Sequence, residues 1–242
     1  MSAAFGLTSY RALLGALRDR GYSVHGFAGA EPAQRHLILR HDIDYSLDAA
    51  LPMAETEAEL GLGAAYFVLV RSEFYNPAAP NGTRVLARLA ALGHEIGLHF
   101  DAALYENDAG ALDEAAAREC TLLEQMTGTR VATISFHRPA PALLGRSGAL
   151  GGRRHAYEPR FFTEMGYCSD SRGGWHRGAP LDHPAIAAGR ALQLLTHPIW
   201  WQDPPMEPAG RLAHFLAERA RRLDRELAAH SAVHADAKRG VP

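Results

Sequence analysis

The feature that most constrains the fold is an apolar run that ends in charge, at residues 37–44. Two carboxylates and a histidine do not suit the buried interior of a strand, whereas ligands and catalytic groups lie at the carboxyl ends of strands in α/β folds. Because side chains at i and i+2 of a strand share a face, Asp42 and Asp44 point to the same side. Neighbouring carboxylates repel each other unless a cation or a proton intervenes. We therefore expect a metal site where this strand ends.

Segments with the sequence pattern of strands alternate along the chain with segments that have the pattern of helices. Strands are predicted at residues 37–41, 64–70, 95–101, 131–136, 167–169 and 192–196, and helices between them at 46–60, 83–92, 108–126 and 158–165. Such alternation predicts a parallel sheet. Most of the strands end in Asp, His or Arg, which predicts a site at one mouth of a barrel. The expected fold is α/β, a distorted (β/α) barrel of about seven parallel strands.

The chain has 242 residues, which is enough for one large α/β domain. We expect residues 1–35 to form an N-terminal helix and lead-in, and residues 36–205 to form the barrel. Residues 206–242 are expected to form a helix and tail that pack on the barrel or extend from it. The apolar spacing of residues 209–233 predicts one amphipathic helix, which serves packing or a homodimer contact.

Composition excludes several classes of partner. A formal net charge of -2 predicts no general affinity for nucleic acid or for an anionic membrane. No apolar run approaches the ~18 residues of a membrane span. The first residues lack the basic segment and apolar core of a signal peptide, so the expected location is the cytoplasm. Cys120 and Cys168 lie outside any Cys-x-x-Cys pair, so a thiolate metal site is not expected.

Imidazole and carboxylate groups from several strand ends suit Zn²⁺ or a similar divalent ion. A catalytic zinc needs about three protein ligands and a water. Asp44 and His99 are the firmest ligands. His137, at an equivalent strand end, is our choice for the third, and Asp101, two residues beyond His99 on the same face, is the competitor. One divalent ion, with Zn²⁺ as the first choice, is the expected cofactor.

The remaining ionisable residues at the strand ends predict acid–base chemistry. Asp42 lies beside the predicted ion without needing to bind it, so its carboxylate can accept a proton from a water that the ion activates. Arg138 is expected to hold that carboxylate through a bidentate pair. His197, from the last strand, is expected to protonate the leaving amine or to stabilise the oxyanion. Together these groups predict metal-assisted hydrolysis of an acyl group.

Five short blocks make the chain resemble the polysaccharide deacetylase superfamily, the NodB-homology domain of carbohydrate esterase family 4. The first two blocks are specific in combination, and the last three are weak alone but occur in the right order. They span about residues 36–201 and are His41-Asp42-Ile43-Asp44, Gly-His-Glu-Ile-Gly-Leu-His at 93–99, Arg138-Pro139, Asp170 with Trp175, and Leu195-Thr196-His197. The chain resembles divergent members associated with surface-polysaccharide biosynthesis more than it resembles secreted chitin or peptidoglycan deacetylases.

The resemblance implies that Asp42 is the catalytic base and that Asp44 and His99 are metal ligands. The chain also departs from the family pattern, in which a second ligand histidine follows the first by four residues. Here that position is Ala103. Either another residue, such as His137, completes the site, or metal binding is impaired.

Further residues are expected around this centre. Trp175 and Trp200 are candidates for stacking on a sugar ring, because aromatic faces suit the apolar side of a pyranose. Arg172 and Asp101 are the other predicted substrate-binding residues. Asp170 is expected to orient His197 or Arg138, and His41 to flank the site and donate to a backbone carbonyl.

The predicted function is removal of an N-acyl group, acetyl or formyl, from a sugar or sugar conjugate. The predicted substrate is an amino-sugar-containing small molecule or a glycan intermediate. Two alternatives stand beside this prediction: a catalytically degenerate barrel that binds a glycan or a protein partner, suggested by Ala103, and an amidase for a non-sugar substrate.

Overall fold

A computed structural model describes residues 5–105 and 108–239. The chain divides into two compact units, Met1–Pro205 and Met206–Pro242. Every strand among the described residues belongs to the larger unit. No helix in the described part of the chain combines the length and the apolar character that crossing a bilayer requires.

Parallel strands form a single sheet in the larger unit. Seven of the strands follow the order β6-β5-β4-β3-β2-β8-β7, and β1 pairs with the start of β2. This confirms the predicted parallel sheet of about seven strands, although β1 and β6 were not predicted because two-residue strands carry no periodicity. The strands are β1 (Ser23–Val24), β2 (His36–Ile43), β3 (Ala65–Val68), β4 (Glu95–Phe100), β5 (Thr133–Phe136), β6 (Arg154–His155), β7 (Gly166–Ser169) and β8 (Leu192–Thr196).

Helices connect most of the strands. Asp108 caps α4 by accepting a hydrogen bond from the Ala111 backbone, and Gly128, with a φ of 67°, ends it. The third helix begins at Pro80, earlier than predicted, because proline suits the first turn of a helix. The helices of this unit are α1 (Leu7–Asp19), α2 (Ala50–Glu59), α3 (Pro80–Ala91), α4 (Ala109–Thr127), α5 (Pro159–Phe162) and α6 (Pro184–Ala187).

The side chain of Arg40 shows that the sheet curls into a barrel. Its Nη2 donates to Ser135 Oγ on β5 over 2.6 Å, and its Nη1 donates to Gln193 Oε1 on β8 over 3.1 Å. Since two other strands separate β2 from β5 in the sheet order, this contact crosses the interior. On the opposite face of β2, Leu37 and Leu39 are buried against the helical layer. The fold is the distorted (β/α) barrel that the sequence predicts.

Gly97 in β4 is required by close packing inside the barrel. A Cβ atom at this position would lie 2.4 Å from the Phe67 ring and 2.9 Å from the Thr133 carbonyl oxygen. Both approaches are shorter than real Cβ contacts, so any larger residue would displace the Phe67 ring or a neighbouring strand. The glycine of the block at 93–99 therefore has a steric role two residues before His99.

The smaller unit consists of α7 (Pro208–His230) and α8 (Ala232–Arg239). The sequence predicts one helix over 209–233, but Ser231 adopts an extended conformation with φ −133° and ψ 110° and separates two helices. The second helix returns along the first, where Lys238 pairs with Asp224 and His234 Nε2 lies 2.9 Å from Asp224 Oδ1. Residues 240–242 of the predicted tail lie outside the described residues.

Candidate metal and acid–base site

Five strands deliver ionisable side chains to one end of the barrel. Asp42 and His99 are penultimate in β2 and β4, and the other residues directly follow the strands that carry them. Parallel strands end at the same edge of a barrel, so these side chains meet at its carboxyl mouth. The residues that directly follow their strands are Asp44 after β2, His137 after β5, Asp170 after β7 and His197 after β8.

Asp44, His99 and His137 form a cluster that could hold a metal ion. His99 Nε2 lies 3.1 Å from Asp44 Oδ1 and 3.2 Å from His137 Nδ1, and the latter two atoms are 3.4 Å apart. A tetrahedral zinc with nitrogen and oxygen ligands at about 2.0–2.1 Å separates its ligand atoms by about 3.3 Å. The three atoms therefore have the spacing of three corners of a zinc coordination tetrahedron.

Hydrogen bonds fix which nitrogen of His99 faces the cluster. Ser135 Oγ lies 3.0 Å from each carboxylate oxygen of Asp42 and 3.0 Å from His99 Nδ1. Since the single hydroxyl proton goes to the carboxylate, Ser135 accepts from His99 Nδ1–H, which leaves the Nε2 lone pair toward the cluster. Metal-ligating histidines are commonly held this way. Burial opposes ionisation of Asp44, but the neighbouring imidazole groups of His137, His99 and His197 outweigh burial and lower the pKa of its carboxyl group. The donor set fits a divalent ion.

The competing third ligand, Asp101, is occupied elsewhere. Its Oδ2 pairs with Arg138 Nη2, and its Oδ1 accepts a hydrogen bond from the Ala103 backbone over 3.2 Å. Ala103, at the position of the family's second histidine, lies exposed in the turn that Asp101 caps. Among the described residues, the cluster contains His137 and does not contain Asp101.

Asp42 is held by Arg40, and the expectation that Arg138 holds it is wrong. Arg40 donates from Nε to Asp42 Oδ1 over 3.0 Å and from Nη2 to Asp42 Oδ2 over 2.7 Å. Both side chains are buried, and Asp42 Oδ2 lies 3.8 Å from His99 Nε2. Arg138 extends instead to Asp101, with two thirds of its side chain exposed. The bidentate pair is therefore formed within one strand, between residues i and i+2.

The charges of Asp42 and Arg40 stabilise each other. Burial raises the pKa of the Asp42 carboxyl group, but Arg40 and then His99 outweigh burial and lower the pKa below its usual range. Burial likewise acts against the Arg40 guanidinium, and Asp42 outweighs it and raises the pKa of Arg40. Asp42 is therefore held as a carboxylate.

His197 lies on the other side of the cluster and is oriented by Asp170. Its Nδ1 is 2.6 Å from Asp170 Oδ1, and its backbone N–H donates to the same carboxylate. Trp201 Nε1 donates to Asp170 Oδ2 over 2.7 Å. His197 Nε2 is thereby directed to the cluster, 3.8 Å from Asp44 Oδ2. Burial lowers the pKa of His197, but Asp170 outweighs burial and raises the pKa to about 9. Asp170 was expected to orient either His197 or Arg138, and in the structure it contacts His197.

The predicted substrate-binding residues differ in their access to solvent. Trp175 is half-buried, with its ring 5.7 Å from that of Phe5, whereas Trp200 is 6% exposed. The structure thus leaves part of Trp175 accessible to solvent and almost none of Trp200. Arg172 is exposed and has a φ of 60°, and Arg138 has a φ of 48°. Such backbone conformations are uncommon for residues with side chains and concentrate at functional sites.

His41 belongs to a buried network behind the site, and its predicted bond to a backbone carbonyl is wrong. Its Nε2 lies 2.7 Å from Glu57 Oε1 and its Nδ1 lies 2.6 Å from Thr196 Oγ1. Tyr10 and Tyr66 also donate to the Glu57 carboxylate. The network joins α1, α2, β2, β3 and β8, and it fixes the strand ends that carry Asp42 and His197.

No family model matches the chain, and no curated protein matches it. It is similar to the family 4 acetyl xylan esterase from Clostridium thermocellum solved with a cobalt ion, with 13% identity, coverage of 77% of this chain and 84% of that one, and a TM-score of 0.41. A Streptococcus pyogenes deacetylase in complex with acetate is 12% identical, with 88% of both chains covered and a TM-score of 0.45. A CE4 family pseudoenzyme from Bacillus anthracis is 11% identical, with 79% of this chain and 62% of its own covered and a TM-score of 0.43.

These solved structures are of the kind that the sequence blocks predicted. Their TM-scores lie below 0.5. The chain is similar to these three solved structures at 11% to 13% identity, and two of the three are carbohydrate esterase family 4 proteins.

Proposed function

We propose that this chain is a metal-dependent hydrolase that removes an N-acyl group, acetyl or formyl, from an amino sugar or sugar conjugate. The observation that carries the proposal is the tetrahedral spacing of Asp44, His99 and His137, with a carboxylate on one side and a histidine on the other. A carboxylate and a histidine whose pKa values are displaced in opposite directions form an acid–base pair.

Asp44, His99 and His137 would hold the ion. A divalent ion in such a site supplies Lewis acidity, which polarises a carbonyl group and lowers the pKa of a water to about 7. Ser135 contributes by keeping the proton of His99 on Nδ1, so that Nε2 is free to bind.

Asp42 and His197 would move the protons. Asp42 accepts a proton from the attacking water; Arg40 keeps its carboxylate ionised, and Arg40 and Ser135 hold it in place. His197 donates a proton from Nε2 to the leaving amine, while Asp170 holds Nδ1 and stabilises the imidazolium. The two side chains lie against different members of the cluster, as attack and departure at one carbonyl carbon require.

The substrate that we propose is an amino-sugar-containing small molecule or glycan intermediate of polysaccharide biosynthesis, processed in the cytoplasm. Trp175 offers a partly exposed ring for the apolar side of a pyranose. Arg138 and Arg172 offer exposed guanidinium groups for the polar substituents of the sugar. Zn²⁺ is the ion that the imidazole and carboxylate donors of the cluster fit best.

Release of acetate or formate from N-acylated amino sugars tests this proposal. The zinc-loaded chain is expected to produce acyl anion and free amine in equal amounts, to lose this activity on treatment with a chelator, and to recover it with Zn²⁺. His197→Ala is the control, because it should keep the metal and lose the activity. If no N-acetyl or N-formyl amino sugar is cleaved by the metal-loaded chain, the proposal is wrong.

A degenerate barrel that binds a glycan is the second candidate, and the exposed Ala103 at the place of the family's second ligand histidine favours it. The two candidates differ in their metal content. A folded chain that binds sugars but never retains a divalent ion would support the binding protein over the enzyme.

We also propose a homodimer through α7. Leu216, Leu223 and Leu227 on this helix are 59%, 68% and 49% exposed. Their spacing of seven and four residues places them on one face of a helix, as in a coiled-coil seam. Arg219 and Glu226 flank that seam at equivalent heptad positions, and they would meet across two antiparallel copies.

Leu223→Glu should therefore turn a dimer into a monomer. Light scattering after size-exclusion chromatography measures the mass of each form. Glu218→Gln, on the opposite face of α7, is the control and should leave the dimer intact. A wild-type chain that is monomeric at about 100 μM would contradict the proposed dimer.

A further inference from the structure

A cavity of about 300 Å³ lies at the opposite end of the barrel from the cluster. Arg130 and Ala132, which line it, precede β5, and Arg154, which also lines it, begins β6. His137, by contrast, follows β5. The cavity is therefore at the amino-terminal ends of the strands, away from the mouth where barrel enzymes place their chemistry.

The inner wall of this cavity is apolar and rigid. Phe27 and Phe161 line it, and their ring centroids are 5.0 Å apart in an edge-to-face arrangement. Both side chains are almost completely buried, and Phe27 also contacts the Phe67 ring of the barrel interior. Phe27 thus closes the lower end of the barrel and leaves a hydrophobic floor beneath the cavity.

The remaining lining is rich in arginine. It contains four arginines and one glutamate, in a chain whose formal net charge is -2. Arginines so close together repel one another, which favours an anion between them. The acidic side chain, Glu158, is partly committed, because its Oε1 accepts the backbone N–H of His155 over 2.9 Å. The arginines are Arg130, Arg153, Arg154 and Arg160.

Two of these arginines are fixed in place by the fold. Arg153 Nε donates to the Val131 carbonyl oxygen over 2.7 Å, and its Nη2 pairs with Glu124 over 3.1 Å. Arg160 Nη2 donates to the Ala30 carbonyl oxygen over 2.6 Å and pairs with Glu31 over 2.7 Å. Both guanidinium groups are therefore held in place without a ligand, each against a carboxylate, and they form a fixed polar wall of the cavity.

The other two arginines have donors to spare. The side chains of Arg130 and Arg154 make no hydrogen bond or close ion pair with any residue in 5–105 or 108–239, although Arg130 contributes, after Arg153, to lowering the pKa of the Glu124 carboxyl group. Arg154 is nevertheless half-buried in the cavity wall. A partly buried guanidinium with unused donors, beside two fixed ones, is a group arranged for an external partner.

We propose that this cavity binds a phosphate-bearing small molecule. Guanidinium groups match phosphate oxygens through paired N–H donors, so Arg130 and Arg154 would hold the phosphate. The phenylalanine floor would contact an uncharged part of the same molecule. A volume of about 300 Å³ is at the lower limit of small-molecule sites, which suits a single phosphorylated unit. The site does not depend on the hydrolase proposed above.

Calorimetric titration with inorganic pyrophosphate at constant ionic strength tests this inference. The wild-type chain should bind one pyrophosphate saturably, and the Arg130→Gln/Arg154→Gln variant should bind it at least tenfold more weakly. Arg118→Gln, an exposed arginine of α4 that pairs with Glu114, is the matched control and should bind as the wild type does. The two single variants, which each keep three of the arginines, should fall between these values.

Three results would overturn the proposal. The first is the absence of a saturable heat of binding when pyrophosphate is titrated into the wild-type protein. The second is an equal affinity of the wild type and the double variant for pyrophosphate, with the variant shown to be folded by circular dichroism. The third is equal binding of sulfate at the same ionic strength, which would mean a general anion site. Since cleavage of amino sugars is measured separately, a failure here leaves the proposed hydrolase untouched, and the reverse also holds.

Discussion

Asp42→Asn should lower kcat for acyl release by about 10²–10⁴-fold, because it removes the group that accepts the proton of the attacking water. The amide has nearly the shape of the carboxylate and still accepts a hydrogen bond from Arg40, but it leaves the buried guanidinium without its counter-charge, so the barrel should fold with reduced stability. Asp42 is not one of the three ligand residues, so zinc content should remain at the wild-type level. Steady-state rates and metal content, measured on the same preparation, separate the loss of the base from the loss of the ion.

Asp48→Asn is the matched control for this substitution. Asp48 is an exposed aspartate in the turn before α2, and its carboxylate contacts Asn81 at 3.0 Å. Its replacement should change kcat by less than about threefold, since surface substitutions have small effects. If Asp42→Asn were as active as Asp48→Asn, another group would have to be the base.

Arg40→Met should destabilise the fold by about 3–5 kcal/mol, because it leaves the Asp42 charge buried without its partner. Both side chains are almost inaccessible to solvent, and Arg40 also donates to Ser135, Tyr157 and Gln193. Removal of the guanidinium therefore leaves several buried acceptors unsatisfied at once. The free energy of unfolding, measured by urea titration, reports this loss directly.

Arg40→Met/Asp42→Asn should be less destabilised than Arg40→Met alone, since the buried negative charge is gone. Arg11→Met is the control for loss of an ion pair as such. Arg11 pairs with Glu59 on the surface, and loss of such a pair changes the free energy of unfolding by about 0–1 kcal/mol. Equal effects of Arg40→Met and Arg11→Met would mean that the interior pair does not hold Asp42.

The parallel barrel and the position of its site could be predicted because both depend on local pattern. Apolar runs that end in charge identify β2, β4 and β5, and parallel strands must bring those ends together. This is why Asp44, His99 and His137 could be expected to converge although they are far apart in sequence. The short strands β1 and β6 and the break at Ser231 have no such signal, because the pattern around them is too short to show a period.

The pairing of Asp42 was mispredicted for a different reason. Arg138 was expected to hold Asp42 because it, too, follows the end of a predicted strand. The alternation of a strand, which places Asp42 and Asp44 on one face, equally places Arg40 on that face. The same alternation places Ser135 of β5 on the face of His137, which directly follows that strand. The signal was therefore present in the sequence, two residues before Asp42.

The central claim is that Asp44, His99 and His137 hold one divalent ion, and elemental analysis of zinc-loaded protein tests it most directly. The account predicts about one Zn²⁺ per chain for the wild type and for Asp101→Ala, and a loss of most of the metal in His99→Ala and His137→Ala. A folded wild-type chain without metal, or a His137→Ala chain that keeps its zinc while Asp101→Ala loses it, would contradict the account.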